Sequence, residues 1–136
     1  MPYIIPSIQF KEIINGKRNE ITLTQVPIEK LKESVGFTYR WLPAKNVNVK
    51  VTYLPNNYSV DTGINADLKF LRKCVERNPS DYYWMDCLCV PQDEKMPEKE
   101  AEISNMRLYY NNFKRVAFVG KLEGTSHDGH YDIARY

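Results

Sequence analysis

Apolar residues alternate with polar ones through residues 47–54 and then recur at helical spacing. The alternation is typical of a half-buried strand, and it places on one face Val47, Val49, Val51 and Tyr53. A loop rich in turn-forming residues comes next. After it, a helix is predicted by the i, i+4, i+7, i+11 spacing of Ile64, Leu68, Leu71 and Val75. This helix is predicted to end at Asn78, because a residue before proline disfavours helical backbone angles.

Residues 82–90 form a nearly continuous apolar segment, which is typical of a parallel strand covered on both faces. Further strands are predicted at 36–42 and 115–120, and Pro97 favours the start of a helix over 97–111. Strands that alternate with helices indicate an α/β domain. We therefore predict a mostly parallel sheet with helices on both faces.

The chain divides into three segments. Residues 1–35 are predicted to form an N-terminal strand and turn extension that packs on the domain, with a short helix opened by Pro27. Residues 36–120 form the α/β core, and residues 121–136 form a polar C-terminal tail. The length of 136 residues agrees with a single domain.

Composition and charge argue against several classes of protein. The net charge is only +2 and the basic residues are dispersed, so the chain lacks the electrostatic footprint of nucleic-acid binding. No apolar run approaches the roughly 18 residues of a membrane-spanning helix, and no signal-peptide pattern opens the sequence. We expect a soluble cytoplasmic protein without nucleic-acid or membrane partners.

The three cysteines raise one metal hypothesis. Cys87 and Cys89 would share one face of a strand, and a zinc site could combine them with His127 and His130. Their spacing departs from the Cys-x2–4-Cys of structural zinc sites. Buried thiols are the favoured interpretation, and no metal is predicted.

Asp86 is a charged residue inside the apolar segment. An ionised carboxylate is costly to bury without partners, so we expect it to be hydrogen-bonded or paired with a cation. The candidate cations are Arg40, Arg107 and Arg115. Ligands of α/β sheets bind outside the carboxyl ends of the strands, where Asp86 and the following helix are predicted to meet. A role in supporting that site is favoured over direct catalysis.

Residues 83–92 follow the spacing aromatic-Trp-hydrophobic-Asp-x-x-Cys-hydrophobic-x-Gln, with Tyr83, Trp84, Met85, Asp86, Cys89, Val90 and Gln92. With this segment, residues 82–120 resemble the HET (heterokaryon incompatibility) domain. The family's next helix corresponds to the predicted helix that carries Glu98, Met106 and Tyr110. Its next strand corresponds to "RVAFVG". Upstream, "GFTYRWL" is similar to an earlier motif through Thr38, Tyr39 and Trp41, with Leu42 in place of the usual glycine.

This resemblance implies a flavodoxin-like fold akin to the TIR domain, in proteins that trigger cell death after non-self recognition. TIR-like domains include NAD+ glycohydrolases whose key acid is a glutamate early in the helix after a central strand. Glu98 occupies the comparable place. The implied function is a cell-death or defence effector that takes NAD+ as substrate, needs no bound cofactor and self-associates to become active.

Several residues are candidates for that chemistry. A carboxylate near the ribose stabilises the oxocarbenium-like state of glycosidic cleavage, and Glu98 is the catalytic candidate. The alternative is a surface acid that complements the helix dipole. Glu102 and Gln92 are candidates for supporting the site, although a solvated helix face is favoured for Glu102. Tyr39 and Trp41 are candidates for stacking on a substrate ring, with ordinary packing as the alternative.

The sequence contains no Gly-x-Gly-x-x-Gly or Walker loop, so classical dinucleotide and NTP binding are unsupported. Three functions stay open. They are an NAD+ glycohydrolase, a non-enzymatic self-assembling signalling module of the same fold, and a small zinc-binding protein.

Overall fold

The computed structural model describes residues 1–91, 98–120 and 130–132. The strands are β1 (Ile5–Pro6), β2 (Glu20–Leu23), β3 (Ser34–Tyr39), β4 (Val47–Tyr53), β5 (Tyr58–Ile64), β6 (Tyr82–Met85), β7 (Arg115–Val119) and β8 (His130–Asp132). The helices are α1 (Ser7–Ile14), α2 (Leu68–Arg77), α3 (Asp86–Cys89) and α4 (Glu98–Asn112), and a 3-10 helix covers Ile28–Glu33.

The larger sheet has five strands in the order β1-β6-β3-β7-β8. Its three central strands are parallel, whereas β1 and β8 pair antiparallel at the two edges. The predicted α/β class is confirmed. The predicted mostly parallel sheet holds for the central strands alone, and with mixed sheets a flavodoxin-like or TIR-like arrangement is not confirmed.

A smaller, mixed sheet has the order β2-β4-β5. The alternation predicted for β4 is present, since Val49, Val51 and Tyr53 are buried between exposed or half-buried neighbours. Residues 58–64 were predicted to be loop and the start of a helix, and this is wrong because they pair antiparallel with β4 as β5. The following helix begins at Leu68, where Asp67 caps it by accepting from the Phe70 N–H at 3.2 Å.

Two other sequence predictions are corrected by the structure. In the predicted N-terminal strand and turn extension, residues Ser7–Ile14 instead form helix α1, which buries Phe10, Ile13 and Ile14. The strand predicted over 82–90 ends at Met85, and the chain turns into the one-turn helix α3. A continuous apolar run is compatible with a buried strand and with a buried helical turn. The pattern therefore predicted a strand where the structure has α3.

Aromatic side chains join the helices to the larger sheet. On β6, Trp84 packs against Tyr109 and Phe113, in and just beyond α4. The preceding residue, Tyr83, instead packs on Phe10 of α1. Because successive strand residues point to opposite faces, α1 and α4 cover opposite sides of the sheet. Among the described residues, no helix is both long and apolar enough to cross a bilayer.

Candidate functional site

A cleft of about 450 Å³ opens where the parallel strands β3 and β6 end. Tyr39 is the last residue of β3 and Asp86 directly follows β6, and both line the cleft. Helix α4 adds Lys99, Ile103 and Met106, which lie on one helix face because they are three and four positions apart. The volume lies within the range of small-molecule sites, and the carboxyl edge of a parallel sheet is where such sites form.

Three neutral groups hydrogen-bond to the Asp86 carboxyl group. The Tyr39 hydroxyl donates to Oδ1 at 2.8 Å. The backbone N–H of Cys87 and the side chain of Trp41 also hydrogen-bond to it. None of these donors is one of the predicted arginines, and Arg115 donates to the Asn78 side chain at 3.1 Å. Neutral donors therefore contribute to satisfying the half-buried carboxyl group.

The Tyr39 hydroxyl contacts two acceptors at once. Its oxygen lies 2.8 Å from Asp86 Oδ1 and 2.9 Å from Asn65 Oδ1. A phenol has only one proton to donate. Both contacts are therefore hydrogen bonds at the same time only if Asp86 is protonated or the Asn65 amide is turned so that its NH2 donates. The three side chains form a hydrogen-bonded chain along the cleft wall.

Burial controls the protonation states of this chain. Burial raises the pKa of Asp86, and the hydrogen bonds to Tyr39, Cys87 and Trp41 oppose this only in part. Burial also raises the pKa of Tyr39 far above its usual value, so this phenol stays neutral. Burial raises the pKa of Cys87 to about 12, which keeps it a thiol and a poor nucleophile at neutral pH.

Trp41 lines the cleft yet is 66% exposed. It was predicted to end the strand over 36–42, and this is wrong because β3 stops at Tyr39. The chain then crosses to the end of β5, where the Leu42 N–H donates to the Asn65 carbonyl at 2.8 Å. An aromatic ring with an open face is thereby held beside Asp86.

Glu102 is buried, with 3% of its surface exposed, rather than on the solvated helix face favoured from sequence. The Tyr109 hydroxyl donates to its Oε2. Glu102, Tyr109 and Phe113 recur at i, i+7 and i+11, so the buried stripe of α4 passes through this carboxyl group. Burial raises the pKa of the nearby Cys89 thiol, and the charge of Glu102 adds to this shift.

Two candidates fall partly or wholly outside what the structure describes. Glu98 is the first residue of α4, and its side chain is outside the described part. The next residue, Lys99, lines the cleft. Gln92 lies outside the described residues. Their predicted roles stay predictions.

The cysteines are buried thiols in this fold. Cys87 and Cys89 lie in helix α3, where residues two apart point to different sides, so the predicted shared strand face is wrong. His127 and the His130 side chain are outside the described part of the chain. Within that part, no three His, Cys, Asp or Glu residues are grouped so as to hold a metal ion.

Sequence reasoning missed four polar residues of the cleft, of which Lys99 lies in α4. Asn65 follows β5, Lys45 lies in the loop before β4, and Thr62 on β5 donates to the Cys87 carbonyl at 3.2 Å. The segment around Asn65 was predicted to be the start of a helix. The three residues outside α4 could have been placed at the edge of the cleft only if residues 58–64 had been recognised as a strand.

The fold and the cleft define a mixed α/β domain with a ligand-sized site at the carboxyl edge of its parallel core. The family model "Heterokaryon incompatibility protein (HET)" matches residues 35–135, which is most of the chain. The chain therefore belongs to the HET family. Neither the curated proteins nor the solved structures searched gave a match.

Proposed function

We propose that this HET domain is a cell-death or defence effector that hydrolyses NAD+ at the nicotinamide–ribose bond. The observation that supports this best is the half-buried carboxyl group of Asp86, which lines a cleft of about 450 Å³ beside the exposed ring of Trp41. A TIR-like role enters through the sequence resemblance alone.

The reaction breaks the bond between ribose C1′ and the pyridinium nitrogen. The bonding electrons pass to the ring, which leaves as neutral nicotinamide, while water adds to C1′ and releases a proton. The ribose carries oxocarbenium-like charge in the transition state, and a nearby carboxylate stabilises it. No metal or redox partner is needed for this balance.

In this proposal Glu98 is the catalytic carboxylate. Helix α4 begins at Glu98, and its next residue already lines the cleft. Asp86 is a positioning residue that holds Tyr39 and Trp41 against the substrate through its hydrogen bonds. Glu102 supports the site by holding Tyr109, which packs on Trp84 of β6, and Gln92 precedes the helix as a further supporting residue.

The test is nicotinamide release from NAD+ by concentrated purified protein, with Glu98→Gln compared with wild type. We expect kcat to fall by about 10²-fold or more, because a charge that stabilises the transition state is lost. Glu100→Gln is the matched control, since Glu100 is an exposed acid on the same helix. Equal rates for wild type and Glu98→Gln, with both folded by circular dichroism, would refute the assignment of Glu98.

The second candidate is a non-enzymatic module that signals by self-association. It is favoured by large apolar side chains exposed on α4, with Ile103 50% and Leu108 48% exposed. Light scattering over a range of protein concentrations tests it. Oligomers weakened by Leu108→Ser, in a protein that leaves NAD+ intact, would favour this module over the hydrolase.

A further inference from the structure

Two lysines of the cleft have no role in the function proposed above. Lys45 lies in the loop between β3 and β4, and Lys99 lies in the first turn of α4. A Cβ placed on Gly63 would lie 3.0 Å from Lys45 Cδ. The alkyl stem of Lys45 therefore runs along the backbone of β5 at the cleft wall.

Side chains of both charges line the cleft. Asp86 is half-buried at the strand ends, Lys45 is exposed in the loop before β4, and Lys99 is half-buried in the first turn of α4. A nicotinamide nucleotide also carries both charges, because its pyridinium ring is cationic and its phosphate is anionic. Lysine ammonium groups bind phosphate as point charges, and the face of a tryptophan attracts a cationic ring.

The size of the cleft limits how much of a ligand it encloses. A volume of about 450 Å³ lies in the lower part of the range for ligand sites. A cleft of this size suits a mononucleotide better than a whole dinucleotide. Recognition would then depend on the phosphate next to the nicotinamide ribose.

We infer that the cleft selects phosphorylated nicotinamide ribosides, with Lys45 and Lys99 binding the phosphate and Trp41 stacking on the nicotinamide ring. This inference rests on the proposed function and adds its substrate class. NAD+ and nicotinamide mononucleotide are then both ligands. Nicotinamide riboside, which has the same ring and sugar but no phosphate, is a poor one.

The experiment compares these three compounds by nicotinamide release and by calorimetric binding. We expect kcat/KM for the mononucleotide to be within about ten-fold of that for NAD+. For the riboside it should be lower by about ten-fold or more, because the charge-assisted hydrogen bonds to the phosphate are lost. Lys45→Gln and Lys99→Gln should each raise KM for the mononucleotide with little effect on kcat, and should leave the riboside unchanged. Lys50→Gln is the control, since Lys50 is exposed on β4 outside the cleft lining.

The possible failures are distinguishable. Equal kcat/KM for the riboside and the mononucleotide would overturn the phosphate selectivity. Wild-type kcat/KM for the mononucleotide in a Lys45→Gln/Lys99→Gln double variant would do the same. Neither result would refute the hydrolase function. Mononucleotide binding without turnover, weakened by the lysine variants, would support the selectivity and refute the chemistry. Absence of binding by all three compounds would refute both.

Discussion

Asp86 combines partial burial with hydrogen bonds to residues from three parts of the chain. Tyr39 ends β3, Trp41 follows it in a loop, and Cys87 supplies a backbone N–H from α3. The sequence showed that a carboxyl group in an apolar segment needs partners. The sequence could not identify Tyr39 as one of these partners. Tyr39 is 47 residues away, and such a contact depends on strand order rather than on local pattern.

The raised pKa of Asp86 makes stability depend on pH with a definite sign. The folded protein favours the protonated form, so this contribution is fully present below the pKa of an unfolded aspartate and is lost as pH rises through the folded-state pKa. Asp86→Asn is neutral at every pH. We expect it to have a larger free energy of unfolding than wild type at pH 8 and to lose that advantage near pH 4.

Urea unfolding followed by circular dichroism at the two pH values measures this difference. Asp81→Asn serves as the control, because Asp81 is exposed. A variant less stable than wild type at both pH values would mean that the charged form of Asp86 anchors the fold, contrary to this account.

At the scale of elements, β3 and the residue that follows α4 pack closely against each other. A Cβ on Gly36 would lie 2.5 Å from Phe113 Cδ2 and Cε2. The Phe113 ring is fully buried and packs against Trp84 and Tyr110, so it has little room to move. A glycine in β3 thus allows Phe113, directly after α4, to pack closely on the sheet.

Gly36→Ala is expected to lower the free energy of unfolding by about 1–3 kcal/mol, the usual cost of overpacking a core. The smaller side chain of Phe113→Leu should relieve the clash, so the double variant should lose less than the sum of the single losses. Denaturant unfolding of the four proteins measures this. Gly36→Ala with wild-type stability would contradict the close packing of β3 against Phe113.

The elements also show where local patterns are sufficient. Helix α4 was predicted over 97–111 and is found over Glu98–Asn112, because Pro97 is a local signal for a helix start. Strand β5 was missed because it is held by its antiparallel partner β4 and its sequence is rich in turn formers. Strand β6 was predicted too long because α3 buries the same apolar residues that a strand would.

At the scale of the whole molecule, the three parallel strands bring the site together. Tyr39 and Asp86 meet because β3 and β6 are adjacent and parallel, so their carboxyl ends share one edge. The alternation of strands and helices predicted this parallel core. The antiparallel edges come from β1 and β8, two- and three-residue strands that are too short for any periodic pattern.

We predict one binding site for the nucleotide, at this edge of the sheet. Titration of isotope-labelled protein with nicotinamide mononucleotide, followed by backbone NMR shifts, tests it most directly. We expect the largest changes at Tyr39, Trp41, Asp86 and Ile103, around the cleft. Changes centred instead on the groove at the opposite strand ends, lined by Lys11, Lys32 and Lys114, or no saturable changes at all, would contradict the account.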